Sequence, residues 1–422
     1  MVVTSFFLVS LGMDAILAGA TIHQRRQALD KVANGLGFED AYNMTLDRIR
    51  RQGGIKSKLG MAALMWVSRS QRPLQSQELL HALGVEVGTE DFIINNVPST
   101  RTILGCTLGL IIIEKNPSTV RLLHPILRKY LEQHPTLFVT AHSMMAEICL
   151  TYLNYRSIRA LPPNPDNGFE TTPFLKYAAC FWGTHASRDA TESVKSLSLR
   201  LLGGYENHVS AAILWQKKIR KRYSEGDVRG ISGLHCIAFW GAAEIAIAML
   251  EAKRWDVNGC DSRGDTPLMW AIRYGNDRVV ELLLDQVDIR PDAVIRDGRT
   301  VLSFAAELGN EGGVKLLLEH GDVNPNSSDN SGQTPLSYAT MMQREGVMKL
   351  LSEARSSNSE SLENRNQIRT SVTAELAPHQ DAAHPLPTTD DITLRTVDNP
   401  VLYAPTPESY RFLRKVRWGR TK

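Results

Sequence analysis

The chain has 422 residues, 43% apolar and 22% charged, with 30 Gly and 19 Pro. These proportions fit a globular protein of about two to four domains and exclude collagen-like, wholly disordered and polytopic membrane classes. The formal charge of +3 is too small for bulk attraction to nucleic acid, so charge arguments must be local. The five cysteines form no C-x-x-C pair, which removes a disulfide scaffold and a zinc module and suits a reducing intracellular compartment.

Met1 to Ile22 is mostly apolar, as a signal peptide or short membrane span would be, but it lacks a basic leader and Asp14 interrupts it. An Asp near a bilayer centre costs about 2.5–3.5 kcal/mol on insertion scales. A buried helix at the edge of a larger domain is therefore expected, without membrane contact. Residues 23–52 read as two helices, the second marked by Phe38, Tyr42, Leu46 and Ile49 at amphipathic spacing. From 55 to 140 the pattern is helix, helix, hairpin, helix. Leu59, Ala62, Ala63, Trp66 and Val67 share one helical face, and Leu79, Leu80 and Leu83 share another. Leu108–Ile113 and Thr119–Leu123 flank the turn Lys115–Ser118, and Leu127, Tyr130 and Leu131 mark the last helix. This layout predicts a small winged-helix unit. Residues 141–225 read as helical with a break at Leu161–Pro165, because proline cannot continue a helix.

A repeat follows. Leu234, Leu268, Leu302 and Leu336 fall 34 residues apart, as do Gly230, Gly264, Gly298 and Gly332. Gly241, Gly275 and Gly309 keep the same interval, and leucine-rich pairs recur at Met249-Leu250, Leu283-Leu284 and Leu317-Leu318. Such a period means stacked units, each needing its neighbours to bury its apolar face. Tetratricopeptide repeats share the period, so the residues must name the unit. Asp261-Ser-Arg-Gly-Asp-Thr-Pro-Leu268 and Asp329-Asn-Ser-Gly-Gln-Thr-Pro-Leu336 resemble the turn and helix start of ankyrin repeats. Gly supplies the turn, Thr caps the helix, and Pro takes the first helical position, where its missing N–H costs nothing. About four ankyrin repeats are expected over 226–352. From Ser352 to Pro400 there is no aromatic residue, and Ser, Asn, Thr and Pro dominate; the tail 353–422 is expected to be disordered. It ends in a basic stretch, Arg411–Lys422.

The region ahead of the repeats also resembles a family. Ala63-Leu64-Met65-Trp66-Val67, Arg72-Pro73-Leu74, Glu78-Leu79 and Val120-Arg121-Leu122-Leu123-His124 are similar to the winged-helix segment named after GPI inositol-deacylase. That segment follows the NACHT module in fungal NACHT–ankyrin proteins of the STAND (NLR-like) class. Ile148–Leu153 and Phe174–Ala186 resemble the helical linker those proteins carry next, and residues 1–52 the tail of the NACHT module. The resemblance implies a mostly α architecture: a helical remnant (1–52), a winged-helix domain (55–140), a helical linker (141–225), the ankyrin solenoid (226–352) and the disordered tail (353–422). It also implies an ATP-driven switch. The chain, however, contains no G-x-x-x-x-G-K-[ST], so nothing in it cradles a triphosphate. Either this is a natural truncated paralogue, or its gene model omits an upstream exon of a nucleotide-switched NACHT ATPase. Gln75 stands where the family has a Thr or Ser cap, which predicts a weaker helix start.

No catalytic, metal or cofactor site is expected. There is no G-x-S-x-G elbow, and His124, His142, His185 and His235 are scattered along the chain. His235 stands at the ankyrin position where a His makes structural hydrogen bonds. The second winged-helix helix, Ser76–Leu83, has no Lys or Arg, and Glu86, Glu90 and Asp91 follow it, which argues against DNA. Lys217, Lys218, Arg220, Lys221 and Arg222 form a candidate nuclear-import cluster whose plainer reading is a solvated helix face. The expectation is a non-enzymatic adaptor, cytoplasmic with the nucleus as the alternative. It would bind another protein through the concave ankyrin surface, and no small-molecule substrate or specific nucleic acid. The candidate contacts are Phe239, Trp240, Arg263, Asp265, Arg273, Tyr274, Arg296 and Arg299, because aromatics and Arg dominate interface energetics; for Phe239 and Trp240 the equal alternative is contact with the preceding helical domain, since the first repeat needs a cap.

Overall fold

A computed structural model describes residues 21–33, 38–114, 118–163, 171–219, 230–295 and 297–355. All of them lie in one unit, Met1–Leu362, while a second unit, Glu363–Lys422, falls outside the described residues. The structure is mostly helical. It begins with α1 (Ile22–Ala33) and α2 (Phe38–Arg51), and the latter buries Tyr42, Leu46 and Ile49.

The next segment runs α3 (Gly54–Arg69), β1 (Leu74–Gln75), α4 (Ser76–Gly84), α5 (Thr100–Cys106), β2 (Ile111–Ile113), β3 (Thr119–Leu122) and α6 (Pro125–Gln133). The strands make one antiparallel sheet in the order β1-β3-β2, with Leu74 opposite Val120 and Ile111 opposite Leu122. Strand β1 and helix α5 are absent from the sequence reading. Two residues make a strand too short to show alternation, and α5 carries only two buried positions, Ile103 and Cys106. The expected turn at Lys115–Ser118 lies largely outside the described residues. Gln75 makes no simple side-chain cap bond at the start of α4, and Glu78 supports that turn instead. A capping box joins Gln75 and Glu78, whose carboxylate accepts the Gln75 N–H at 2.9 Å. Arg72 grips the same buried carboxylate with two bonds of 2.6 and 2.7 Å.

Helices α7 (Ala141–Asn154), α8 (Arg156–Arg159), α9 (Leu175–Ala186), α10 (Glu192–Leu202) and α11 (Val209–Leu214) form the rest of the platform. Pro135–Asn154 is long and apolar enough to cross a membrane, but half of it is buried, and its main partner is α9. Two of the scattered histidines meet here. Arg188 Nη1 donates to His142 Nε2 at 3.1 Å, so the His142 proton sits on Nδ1 and is donated to His185 Nδ1 at 2.9 Å. His185 then donates from Nε2 to the Tyr177 hydroxyl at 2.9 Å, which also accepts the Gln71 N–H at 3.1 Å. Both rings are neutral in this chain. Burial depresses His142 and drives His185 down to about 3.

The repeats follow as helix pairs: α12 (Gly233–Trp240) with α13 (Ala243–Glu251), α14 (Pro267–Tyr274) with α15 (Asp277–Leu284), α16 (Val301–Leu308) with α17 (Glu311–His320), and α18 (Pro335–Met341) with α19 (345–355). Thr266, Thr300 and Thr334 cap their helices by accepting the N–H three residues on. Gly241, Gly275 and Gly309 end theirs in the left-handed conformation, and Gln343 does the same at the corresponding place without glycine's freedom (φ 54°). The next column holds the stack together. Asn276 donates to the carbonyls of Ala238 and Phe239, Asn310 to Ile272 at 2.6 Å, and Arg344 to Glu307 at 3.3 Å. Each bond reaches one repeat back. Leu283 and Leu317 fill the space between repeats and are fully buried. The platform closes the N-terminal end of the stack: α10 packs on α13, and Leu202 lies against Gly233.

Candidate partner-binding groove

The surface of interest is set by two columns of residues and by a fault in the repeat. In the second repeat the Asp261 carboxylate accepts the N–H groups of Arg263 and Asp265 at 2.9 and 3.0 Å, and its other oxygen accepts Trp270 Nε1 at 3.1 Å. Asp329 does the same in the fourth, with Ser331, Gln333 and the Tyr338 hydroxyl. These bonds fold each finger loop. In the third repeat the two positions are Ile295 and Phe304. Carboxylate and donor have been lost together, so no buried polar atom is orphaned there. The backbone bond Ile295 N–H to Arg299 O, 3.0 Å, keeps the loop's shape.

The second pattern is a charge reversal. Asp265 and Arg273 pair at 2.9 Å in repeat two, and at the same two positions of repeat three Arg299 pairs with Glu307. Repeat one has Ile231 and Phe239 there, and repeat four has Gln333 and Met341. The Arg273 guanidinium also lies 4.6 Å over the Phe304 ring and that of Arg299 4.2 Å over Tyr338. These charges are half out of water. Burial lowers Arg273 to about 10, and burial followed by repulsion from Asp261 raises Asp265 to about 6.

A cavity of about 380 Å³ opens here, lined by Ser262, Arg263, Asp265, Arg273, Ile295, Asp297, Arg299 and Phe304. It gathers four of the eight sequence candidates. Arg263 is exposed, as expected. Arg273 and Arg299 are not free arms; their side chains are 15% and 17% exposed and already paired. Asp265 is buried at 6%, a correction to its reading as an open contact, because the Asp261 turn draws the finger inward. Trp240 takes the alternative open to it in the sequence, contact with the preceding helical domain. It sits 4.7 Å from Trp182 across the platform junction, where a Cβ on Gly183 would fall 2.1 Å from its ring. Phe239 and Tyr274 are half-buried edge to face at 4.7 Å. Arg296 lies outside the described residues, as do Arg220, Lys221, Arg222 and the side chain of Lys218; Lys217 is exposed.

Sequence reading missed Ile295, Asp297, Phe304 and Glu307. Aligning the chain with itself at an offset of 34 exposes three of them, since Ile295 breaks an Asp column, Phe304 a polar-aromatic column, and Glu307 inverts Arg273. His235 is structural: its Nδ1 accepts the Ser232 N–H at 3.1 Å and its Nε2 donates to Asp265 O at 3.0 Å, tying repeat one to two. The acids after α4 are spent within the fold, Glu90 on Arg156 and Asp91 on Ser157. Among the described residues no group of three His, Cys, Asp or Glu could hold a metal.

Comparison with known families agrees with the repeats. The model for ankyrin repeats matches three copies over residues 186–295 and 288–361. The chain therefore carries ankyrin repeats, and repeats of this kind generally mediate binding to other proteins. The match begins well before residue 226, at the platform helices that close the stack. No curated protein matches the chain.

Proposed function

We propose that the chain is a non-enzymatic adaptor that holds a partner protein in its ankyrin groove, around the cavity between repeats two and three. The observation that carries this reading is the groove's side-chain set. Arg263, half-buried Phe239 and Tyr274, and a checkerboard of Asp265, Arg273, Arg299 and Glu307 line a surface whose stacking is secured elsewhere, by leucines and the Asn276 and Asn310 tethers. Aromatics and Arg on a rigid frame lose little entropy on binding.

The platform positions this groove. Its element order and β1-β3-β2 sheet support reading 55–140 as a winged helix. The order of modules supports kinship with fungal NACHT–ankyrin signalling proteins. A role in packing rather than DNA binding fits the platform, because Glu78 in α4 is buried and α5 contributes one Arg, Arg101. A cytoplasmic location accompanies this reading.

The test is capture by the tagged full-length chain. A protein retained by the wild type should be lost with Arg263→Glu and Phe239→Ala, and kept with Arg278→Glu on the opposite helix, α15. Retention by the groove variants, or turnover of a nucleoside triphosphate by the purified chain, would overturn the proposal.

A further inference from the structure

We infer that the partner segment held along the repeats is a basic amphipathic α-helix. This rests on reading the concave surface as the partner surface, and it names the kind of segment that fits beyond the cavity. The inner helices end on an apolar column. Tyr274 closes α14, Leu308 closes α16, and Met342 stands at the same position just after α18, each 34 residues from the one before. Tyr274 is half-buried against Phe239, whereas Leu308 is 38% exposed, Met341 58% and Met342 41%. An apolar strip that runs on across neighbouring repeats marks a surface for another apolar face. Its aliphatic and methionine make-up suits the ridge of a helix, because Met adapts its shape to the side chains laid on it.

The row beside this strip supplies the charge complementarity. After a two-residue turn each outer helix opens on an acid, Asp277 in α15, Glu311 in α17 and Glu345 in α19. All three are exposed, and among the described residues no Lys or Arg pairs with them. Cations of the same segments are engaged elsewhere: Arg278 with Glu281, Lys315 with Glu319, and Arg344 on the Glu307 carbonyl. Glycines make room for two of the carboxylates. That of Asp277 lies over Gly312 and that of Glu311 over Gly346, where an added Cβ would collide with them. The spacing then selects the partner's backbone. Packed helices lie about 8–10 Å apart, so both rows step by about that distance from repeat to repeat. Seven residues of an α-helix rise about 10.5 Å and return to nearly the same face. An extended strand returns to one face at about 6.6 or 13 Å and misses the step. A helix of about 14 residues spans the three repeats. With an apolar residue and a Lys or Arg recurring every seventh position, it meets Tyr274, Leu308 and Met342 along one edge and the three carboxylates along the other.

The experiment uses random sixteen-residue peptides displayed on phage, selected on the full-length chain. Selected peptides are synthesised with a fluorophore, and affinities are read by anisotropy. Wild type is compared with Asp277→Asn/Glu311→Gln/Glu345→Gln, with its charge-keeping counterpart Asp277→Glu/Glu311→Asp/Glu345→Asp, and with Leu308→Gln. The expected result is Lys or Arg and apolar residues recurring at seven-residue spacing, with helical circular dichroism gained on binding. Affinity should fall about tenfold or more on the neutral triple variant and on Leu308→Gln, and stay within about threefold on the charge-keeping one. Selected peptides without that basic periodicity, or equal affinity for wild type and the neutral triple variant, would overturn the inference. The concave surface still stands as the binding surface if those peptides are lost with Arg263→Glu/Phe239→Ala. If the peptides survive both sets of changes, or none binds wild type better than Leu283→Ala/Leu317→Ala, in which the stack is broken, the groove reading itself fails and takes this inference with it.

Discussion

The repeat stack and the platform ahead of it bury comparable side chains by different rules. In the stack each structural task recurs every 34 residues. Thr266, Thr300 and Thr334 cap, Leu283 and Leu317 fill, Asn276 and Asn310 tether. In the platform the stabilising groups occur once. Arg72 holds Glu78, and His142, His185 and Tyr177 form a neutral chain between helices that are distant in sequence. The difference teaches where each region is fragile. Damage in the stack should spread to neighbours through repeated interfaces, whereas damage in the platform should follow the chemistry of the group removed.

The largest expected effect breaks the stack. Leu283→Ala or Leu317→Ala should cost about 2–5 kcal/mol by leaving a cavity between repeats, read in a urea or thermal melt. A loss below about 1 kcal/mol would contradict the packing described. Acid should act most on the platform, and within the stack at the junction of repeats one and two, where burial also lowers the basicity of His235. His185 titrates at about 3 in the folded chain and near 6.5 unfolded. The unfolded state therefore binds more protons, and stability falls as pH drops below about 6.5 and continues to fall until about 3. At pH 4.5 the cost is about 2–3 kcal/mol. Asp265 has the opposite sign: raised to about 6, it makes the repeat more stable as pH falls from 6 toward 4. Hydrogen exchange corrected for intrinsic rates should show α9 losing protection between pH 6.5 and 4.5 while α16, which carries no histidine, does not. Equal loss in both would erase the distinction.

How legible each region was in the sequence follows the same division. Periodic tasks reveal themselves by self-comparison, so the stack, its caps and its leucines were readable without coordinates. The platform's helices were readable from amphipathic stripes, as with Tyr42, Leu46 and Ile49, but α5 and β1 were too short to make a pattern. Contacts between His142 and His185, or Trp182 and Trp240, join residues with no spacing rule. Within the groove the residue types were legible and their exposure was not. Whether Arg273 waves in solvent or lies over Phe304 against Asp265 depends on the next repeat's ring, and that is a property of the stack.

Two smaller changes sharpen the comparison within the stack. Arg273→Gln should cost about 1–3 kcal/mol by leaving Asp265 uncompensated. The double swap Asp265→Arg/Arg273→Asp should recover only part of that, since it sets a carboxylate beside Glu307; full recovery would show that the two pairs do not sense one another. Gln343→Gly should raise stability by up to about 1 kcal/mol by relieving the left-handed strain, and an unchanged melt would mean the terminal turn relaxes at no cost.

The most direct measurement compares one leucine and two arginines in the full-length chain, for melting and for affinity toward whatever protein it captures. Leu283→Ala should lower the melt and weaken capture with it. Arg263→Gln should leave the melt in place and weaken capture at least tenfold, and Arg278→Gln on the opposite helix should change neither. Unaltered capture by Arg263→Gln together with loss by Arg278→Gln would contradict the groove as the place where the partner is held.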